Sequence, residues 1–219
     1  MSANLYSEHN FHESNVIHPT AIIHENVKMG KGNRIGAFTV IGSEGEILNS
    51  DPSKFRGRVL IGDGNVINSH VTIDRPQDDS DTVIGDNNLI MRHTHVGHDV
   101  VIGSNCIIRT HTVIAGHCEL GDFVNVGLNA TIIKRAKIGF GAYIGAAAML
   151  NKHASPFGVY VGTPAKLISM NRVQAEEQGI PESQIIQAEQ IFKFLERNIK
   201  RIEGNQISDE ISKFWEGMS

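Results

Sequence analysis

The sequence predicts an all-β protein wound as a three-sided parallel coil, and three observations carry that prediction. An aliphatic residue recurs at every sixth position, a small or narrow residue stands four places after each one, and Ile outnumbers Leu by 28 to 9 in a chain of 219 residues. β-Branched side chains suit the pleated, half-buried surface of a sheet, so the excess of Ile favours strands over a helical bundle. An amphipathic helix repeats at about 3.6 residues, which a period of six does not fit. One aliphatic and one small residue pointing inward per six describe a flat side followed by a tight corner. Three such sides close a coil of 18 residues, and stacked coils share one continuous core.

Taken in order, residues 1–14 form a polar extension without the apolar stretch of a signal peptide. The repeat then runs through Ile17, Ile23, Met29, Ile35 and Ile41, resumes at Ile61, Ile67 and Ile73, and holds phase twelve times from Ile84 to Leu150. Val161 follows after a last break, so the coil is assigned to residues 15–165. The breaks predict loops at 43–60, 75–83 and 152–160, and loops on rigid scaffolds commonly hold ligands. The second loop carries the acidic run Pro76-Gln77-Asp78-Asp79-Ser80-Asp81, which reads as a solvated turn rather than a substrate contact. Beyond Thr163-Pro164 the region 166–219 is helical in pattern. Ile185, Ala188, Phe192, Leu195 and Ile199 share one stripe, and a short helix is expected over Asp209–Trp215. Such a tail would cap the last coil and shield its edge.

Composition excludes several classes. A net charge of -4 lacks the basic surplus of a nucleic-acid binder. No apolar run approaches the roughly 20 residues of a membrane span, and a soluble cytoplasmic protein is expected. Cys106 and Cys118 both fall at the small inward position and read as core filler, not as nucleophiles or a disulfide.

Five of the eleven histidines lie between 93 and 117. A step of one coil carries His93 onto His111 and Asp99 onto His117. Imidazoles and a carboxylate are thereby gathered on adjacent coils, a setting for acid–base chemistry. His93 and His111 read as surface residues, whereas His98 reads as functional.

The repeat resembles the left-handed parallel β-helix of the hexapeptide-repeat acyltransferases, and the handedness is implied by that resemblance alone. Leu89-Ile90-Met91-Arg92-His93-Thr94-His95-Val96-Gly97-His98-Asp99 resembles the segment around the catalytic histidine of the UDP-N-acetylglucosamine 3-O-acyltransferases of lipid A synthesis. Ala115-Gly116-His117 matches a second motif of that family, and Val71-Thr72-Ile73-Asp74-Arg75 a third, in which Asp74 stands where His is usual. The resemblance implies His98 as general base, Gly116 as oxyanion donor through its N–H, and Asp99 as partner of the imidazole. It places His95, His117, Asp74 and Arg75 at the acceptor sugar. Arg56, Arg58 and Arg75 offer guanidinium groups for a carboxylate or for phosphates.

Two departures bear on the acyl donor. The family's basic Lys-Arg-Arg-Gly stretch, which helps dock acidic acyl carrier protein, aligns with Glu176-Glu177-Gln178-Gly179, and its His-Gln pair with Ile133-Lys134. Like charges at a docking surface repel. Val161-Gly162-Thr163-Pro164-Ala165-Lys166 resembles the element with which hexapeptide acetyltransferases close over coenzyme A, so Gly162, Lys166, Lys134 and Arg135 are assigned to that cofactor. The expectation is an N-acetyltransferase that moves acetyl from acetyl-CoA to the amine of a nucleotide-linked amino sugar, without a metal, as a homotrimer. The alternative is an O-acyltransferase of lipid A type using acyl carrier protein. A zinc hydratase on the same fold, prompted by the run His93-x-His95-x-x-His98, is the more remote reading.

Overall fold

Each circuit of the chain in the computed structural model lays down three short strands, one in each of three parallel sheets, separated by tight corners. The structure describes residues 11–45, 57–77, 80–198 and 213. Among these the sheets hold nine, seven and six strands. Register follows the 18-residue period wherever no loop intervenes: Leu89 pairs with Ile107 in the first sheet, His95 with Val113 in the second, Val101 with Glu119 in the third. The repeat aliphatics point inward as expected. Ile67, Ile73, Ile90, Ile108, Ile114 and Ile132 are fully buried, and so are the small residues Val71, Val100, Cys106 and Ala130 that fill the corners.

Most corners carry one residue with positive φ. His93 and His111 serve the corner between the first and second sheets, Asp99, His117 and Arg135 that between the second and third, and Asn105 and Phe123 that between the third and first. A left-handed residue with a Cβ costs roughly 1–2 kcal/mol. Neighbouring coils offset this, because the corner N–H donates to a carbonyl one coil earlier, as from His117 to His98 at 3.0 Å and from Phe123 to Ser104 at 2.9 Å.

The small inward position also carries a buried amide ladder. Asn33 Oδ1 accepts from the N–H of Asn65, Asn65 Oδ1 from that of Asn88, and Asn88 Oδ1 from that of Cys106, at 2.7–2.9 Å. Asn65 Nδ2 donates in turn to Gly85 O at 2.9 Å. In an Asn65→Ala variant the Asn88 N–H and the Gly85 carbonyl lose their partners inside the prism. At about 1 kcal/mol for each lost bond, a destabilisation of roughly 2 kcal/mol is expected, read as a lowered urea midpoint at unchanged slope.

Three features differ from the sequence reading. The strands Val40–Ser43, Val59–Ile61, Thr82–Ile84 and Gly158–Val161 run into the stretches assigned to loops. In the last of these Tyr160, not Val161, takes the inward place: it pairs with Ile144 and is buried, its hydroxyl bonded to Ser155. Third, Lys166–Met170, placed in the helical region by pattern, is a strand that folds back antiparallel on Gly158–Val161 and occupies the sheet edge.

Two helices follow, α1 at Arg172–Glu177 and α2 at Glu182–Asn198. α2 buries Ile185, Ala188 and Phe192, the first three members of the predicted stripe, while the side chains of Leu195 and Ile199 and most of Asp209–Trp215 lie outside the described residues. Arg172 joins the helices, reaching Glu176 at 2.7 Å, Glu182 at 2.6 Å and Glu189 at 3.2 Å.

Candidate active site

Two loops leave the prism at one corner, between the second and third sheets, each after a strand of the second sheet, Val40–Ser43 and Thr72–Asp74, whereas after Met149–Leu150 the circuit is shortened and Ala154 bridges to Ile138. His98 and Asp99 turn the same corner, so the longest excursions of the chain and its best acid–base pair meet on one edge of the molecule.

His98 Nδ1 lies 2.7 Å from Asp99 Oδ2. A carboxylate can only accept, so Nδ1 carries the proton and Nε2 presents a lone pair. The imidazole is partly exposed at 18%, whereas the Asp99 side chain is 2% exposed. That buried carboxylate also accepts from the Gln77 N–H at 3.0 Å and the Ser80 hydroxyl at 2.8 Å, and the Asp99 N–H donates to Thr82 Oγ1 at 3.0 Å. One coil further, His117 Nε2 stands 4.0 Å from Asp99 Oδ2, and its ring meets that of His98 edge-on at 4.9 Å.

Gly116 completes the centre. A Cβ built on it would come 2.5 Å from both Cε1 and Nε2 of His98, so the backbone approaches the imidazole as only glycine allows. Among the described residues its N–H donates to no other group. Close by, a Cβ on Gly45 would lie 2.7 Å from Gln77 Nε2, 3.3 Å from Asp74 Oδ2 and 3.4 Å from His98 Cδ2. The missing side chain leaves a gap edged by Asp74, Gln77 and His98, and the buried Gln77 Nε2 has no hydrogen-bond partner among the described residues. Asp74 Oδ2 is 3.7 Å from His95 Nε2, whose other ring nitrogen meets Thr72 Oγ1 at 2.8 Å.

His98, Asp99, Gly116, His117, Asp74 and His95 are thus gathered at one place. Of the arginines, Arg75 pairs with Glu44 at 3.2 Å and Arg58 with Asp81 at 3.3 Å, while Arg56 lies outside the described residues. Lys134 and Arg135 are exposed and sit one coil beyond Gly116, whose carbonyl accepts from the Arg135 N–H at 3.1 Å. Gly162 and Lys166 lie farther off. The turn that holds them is bonded to Ala147 and Met149, three strand steps or about 14 Å along the second sheet from His95.

Pattern reading missed Gly45, Gln77 and Ser80. The acidic run is not merely a solvated turn, since Asp81 caps the Arg58 backbone and Gln77 and Ser80 turn in upon Asp99. A usable signal existed: every break in the repeat falls after the same side of the prism.

The other candidates are placed apart from this chemistry. Phe38, His70, His93 and His111 form an exposed stack at a different corner, the last two rings 4.8 Å apart and nearly parallel. Desolvation and the neighbouring His111, His70 and Arg92 hold the His93 imidazole below its ordinary value. Burial pushes the thiols up, to about 12 for Cys106 and about 11 for Cys118, far from nucleophilic range. His98, Asp99 and His117 have ligand atoms within 4.8 Å of one another, so this trio is where a metal would bind. Asp99, however, already serves Gln77, Ser80 and His98, and a cation would have to displace those donors.

Comparison with known proteins bears on the fold. Residues 81–116 match the bacterial transferase hexapeptide family (six repeats), and the fold is the left-handed parallel β-helix with hexapeptide repeats. It is 32% identical over 181 residues to an acyl-[acyl-carrier-protein]–UDP-N-acetylglucosamine O-acyltransferase of Gloeothece citriformis, covering 81% of this chain and 64% of that one. A Pseudomonas putida protein of the same name is 34% identical, over 76% of this chain and 65% of its own length. This chain therefore spans a little less than two thirds of those relatives. The solved UDP-N-acetylglucosamine acyltransferase of Campylobacter jejuni superposes with a TM-score of 0.73 at 25% identity, covering 93% of this chain and 95% of that one.

These relatives overturn the N-acetyltransferase expectation, because the donor and acceptor in their names are acyl carrier protein and UDP-N-acetylglucosamine. Glu176 is bound to Arg172 in the cluster that joins α1 to α2, so its charge is answered within the fold.

Proposed function

We propose that this protein transfers an acyl group from the thioester of an acyl carrier protein to a hydroxyl of UDP-N-acetylglucosamine. The observation that carries the reading is the His98 imidazole, its Nδ1 held by buried Asp99 and its Nε2 against the backbone of Gly116. The sugar hydroxyl gives its proton to His98 Nε2 as its oxygen attacks the thioester carbonyl. The Gly116 N–H receives the oxyanion, and the tetrahedral intermediate collapses to the ester as the proton passes to the departing thiolate. Asp99 answers the charge of the imidazolium. Asp74, His95 and Gln77, around the gap left by Gly45, hold the acceptor. No metal is needed, because the thioester is already activated.

Lys134 and Arg135, with Lys152 on the next coil, form a cationic strip that leads away from Gly116. It suits an acidic carrier protein in place of the basic stretch that this chain lacks. Exposed Val113, Leu128 and Ile133 fit an interface between copies of the chain, as a homotrimer.

The test is ester formation from an acyl carrier thioester and UDP-N-acetylglucosamine, followed by mass spectrometry. Turnover with the carrier is expected, and Arg135→Glu should raise KM for the carrier about tenfold with kcat little changed. No product with carrier thioesters of any chain length would refute the reading. An unchanged KM in the variant would remove the strip from it.

A further inference from the structure

The corner that holds the base also gathers the ligands of a cation. Among the described residues, His98, Asp99 and His117 form the one group of three whose ligand atoms all lie within 4.8 Å of one another. Asp99 and His117 occupy the same place on successive coils, both with positive φ, and the His117 N–H donates to the His98 carbonyl at 3.0 Å. The backbone thus fixes the three relative to one another. Asp99 Oδ2 stands at the centre, 2.7 Å from His98 Nδ1 and 4.0 Å from His117 Nε2. Ligands on a tetrahedral zinc ion, with bonds of about 2.0–2.1 Å, stand about 3.3 Å apart, and these two separations lie to either side of that value. The carboxylate is 2% exposed, while the rings, at 18% and 23%, remain within reach of solvent.

We propose that this trio is an inhibitory site for a divalent cation of the zinc type; the inhibition, though not the binding, rests on His98 being the base of the reaction above. Two imidazole nitrogens and one carboxylate oxygen suit Zn²⁺, with a fourth position left to water. They do not suit Mg²⁺ or Ca²⁺, which take oxygen ligands throughout. A cation meets the donors already on Asp99, and on Oδ2 the neutral His98 N–H gives way to a full double charge. Coordination through Nδ1 leaves the neutral ring with its single proton on Nε2. One proton leaves Nδ1 and one is taken up at Nε2, so the charge of the imidazole is unchanged, but the lone pair that faced Gly116 is gone. The base is switched off by a change of tautomer.

Zn²⁺ alone is the probe, titrated against a chromophoric chelator. The parent is expected to take up one tight equivalent per chain that Mg²⁺ does not displace. His117→Asn, whose side chain tolerates the positive φ there, should weaken that equivalent at least tenfold, since even the outer partners of a ligand are worth that much. The exposed imidazole stack is the rival site, and a His93→Asn, His111→Asn double variant should keep the tight equivalent. In ¹⁵N NMR of labelled imidazoles, Zn²⁺ should move the signals of His98 and His117, with the His98 proton passing from Nδ1 to Nε2. Acyl transfer should fall in proportion to the zinc bound and return on adding EDTA. No tight equivalent in the parent, one unaltered in His117→Asn or lost in the double variant, unmoved His98 and His117 signals, or full turnover with zinc bound would each overturn the proposal. If the metal-free parent transfers no acyl group, the proposed reaction falls, while the chelator and NMR results still decide the site.

Discussion

His98→Ala is expected to lower kcat/KM by about 10³-fold, within the range that a positioned general base contributes. No other described side chain offers an imidazole nitrogen against Gly116. His117 is nearest, but its Nε2 is directed toward Asp99 at 4.0 Å. The residue lies on the corner and not in the core, so thermal melting and oligomeric state should match the parent. A variant retaining more than a tenth of parent activity would remove His98 from the role of base.

Gly116→Ala is the second large effect, and it separates crowding of the imidazole from loss of fold. The residue has an ordinary φ, so alanine adds no backbone strain. The new methyl instead meets Cε1 and Nε2 of His98 at 2.5 Å, closer than carbon atoms tolerate. A free imidazole would swing aside at little cost. This one is tied to Asp99 at 2.7 Å, which is itself tied to Ser80 and Gln77, so it yields only by breaking that bond. Activity should fall at least 10²-fold while the melting temperature shifts by only a few degrees. Full activity in this variant would mean that His98 does not work from the conformation described here.

Much of this molecule is legible along the chain because its contacts are periodic. Ile90 packs against residues one coil away, so a six-residue repeat reports burial directly, and Asp99 and His117 can be set on one corner by counting. The period fails where the chain leaves the prism. Tyr160 takes the inward place expected of Val161 because the preceding circuit is shortened, with Ala154 bridging to Ile138 in place of a full strand. Lys166–Met170 is a strand because the antiparallel return pairs an edge that the coil leaves open, which no local pattern records.

The site divides in the same way. His98, Asp99 and Gly116 stand out in sequence through the motifs that resemble the acyltransferases, and coil spacing sets Asp99 beside His117. Gln77, Ser80 and Gly45 do not, because they act from loops outside the repeat and their meaning lies in what they face. Glu176 shows the converse: a carboxylate that reads as a surface charge in the chain is part of the Arg172 cluster in space. Thus the sequence by itself determined the coil, its inward faces and the corner that Asp99 and His117 share. Only the tertiary structure decided that Lys166–Met170 returns to close a sheet edge and that Gln77 and Ser80 hold Asp99. The reason is physical: stacking repeats depend on neighbours at a constant separation, whereas the groups around a reacting centre are brought together from separations that follow no period.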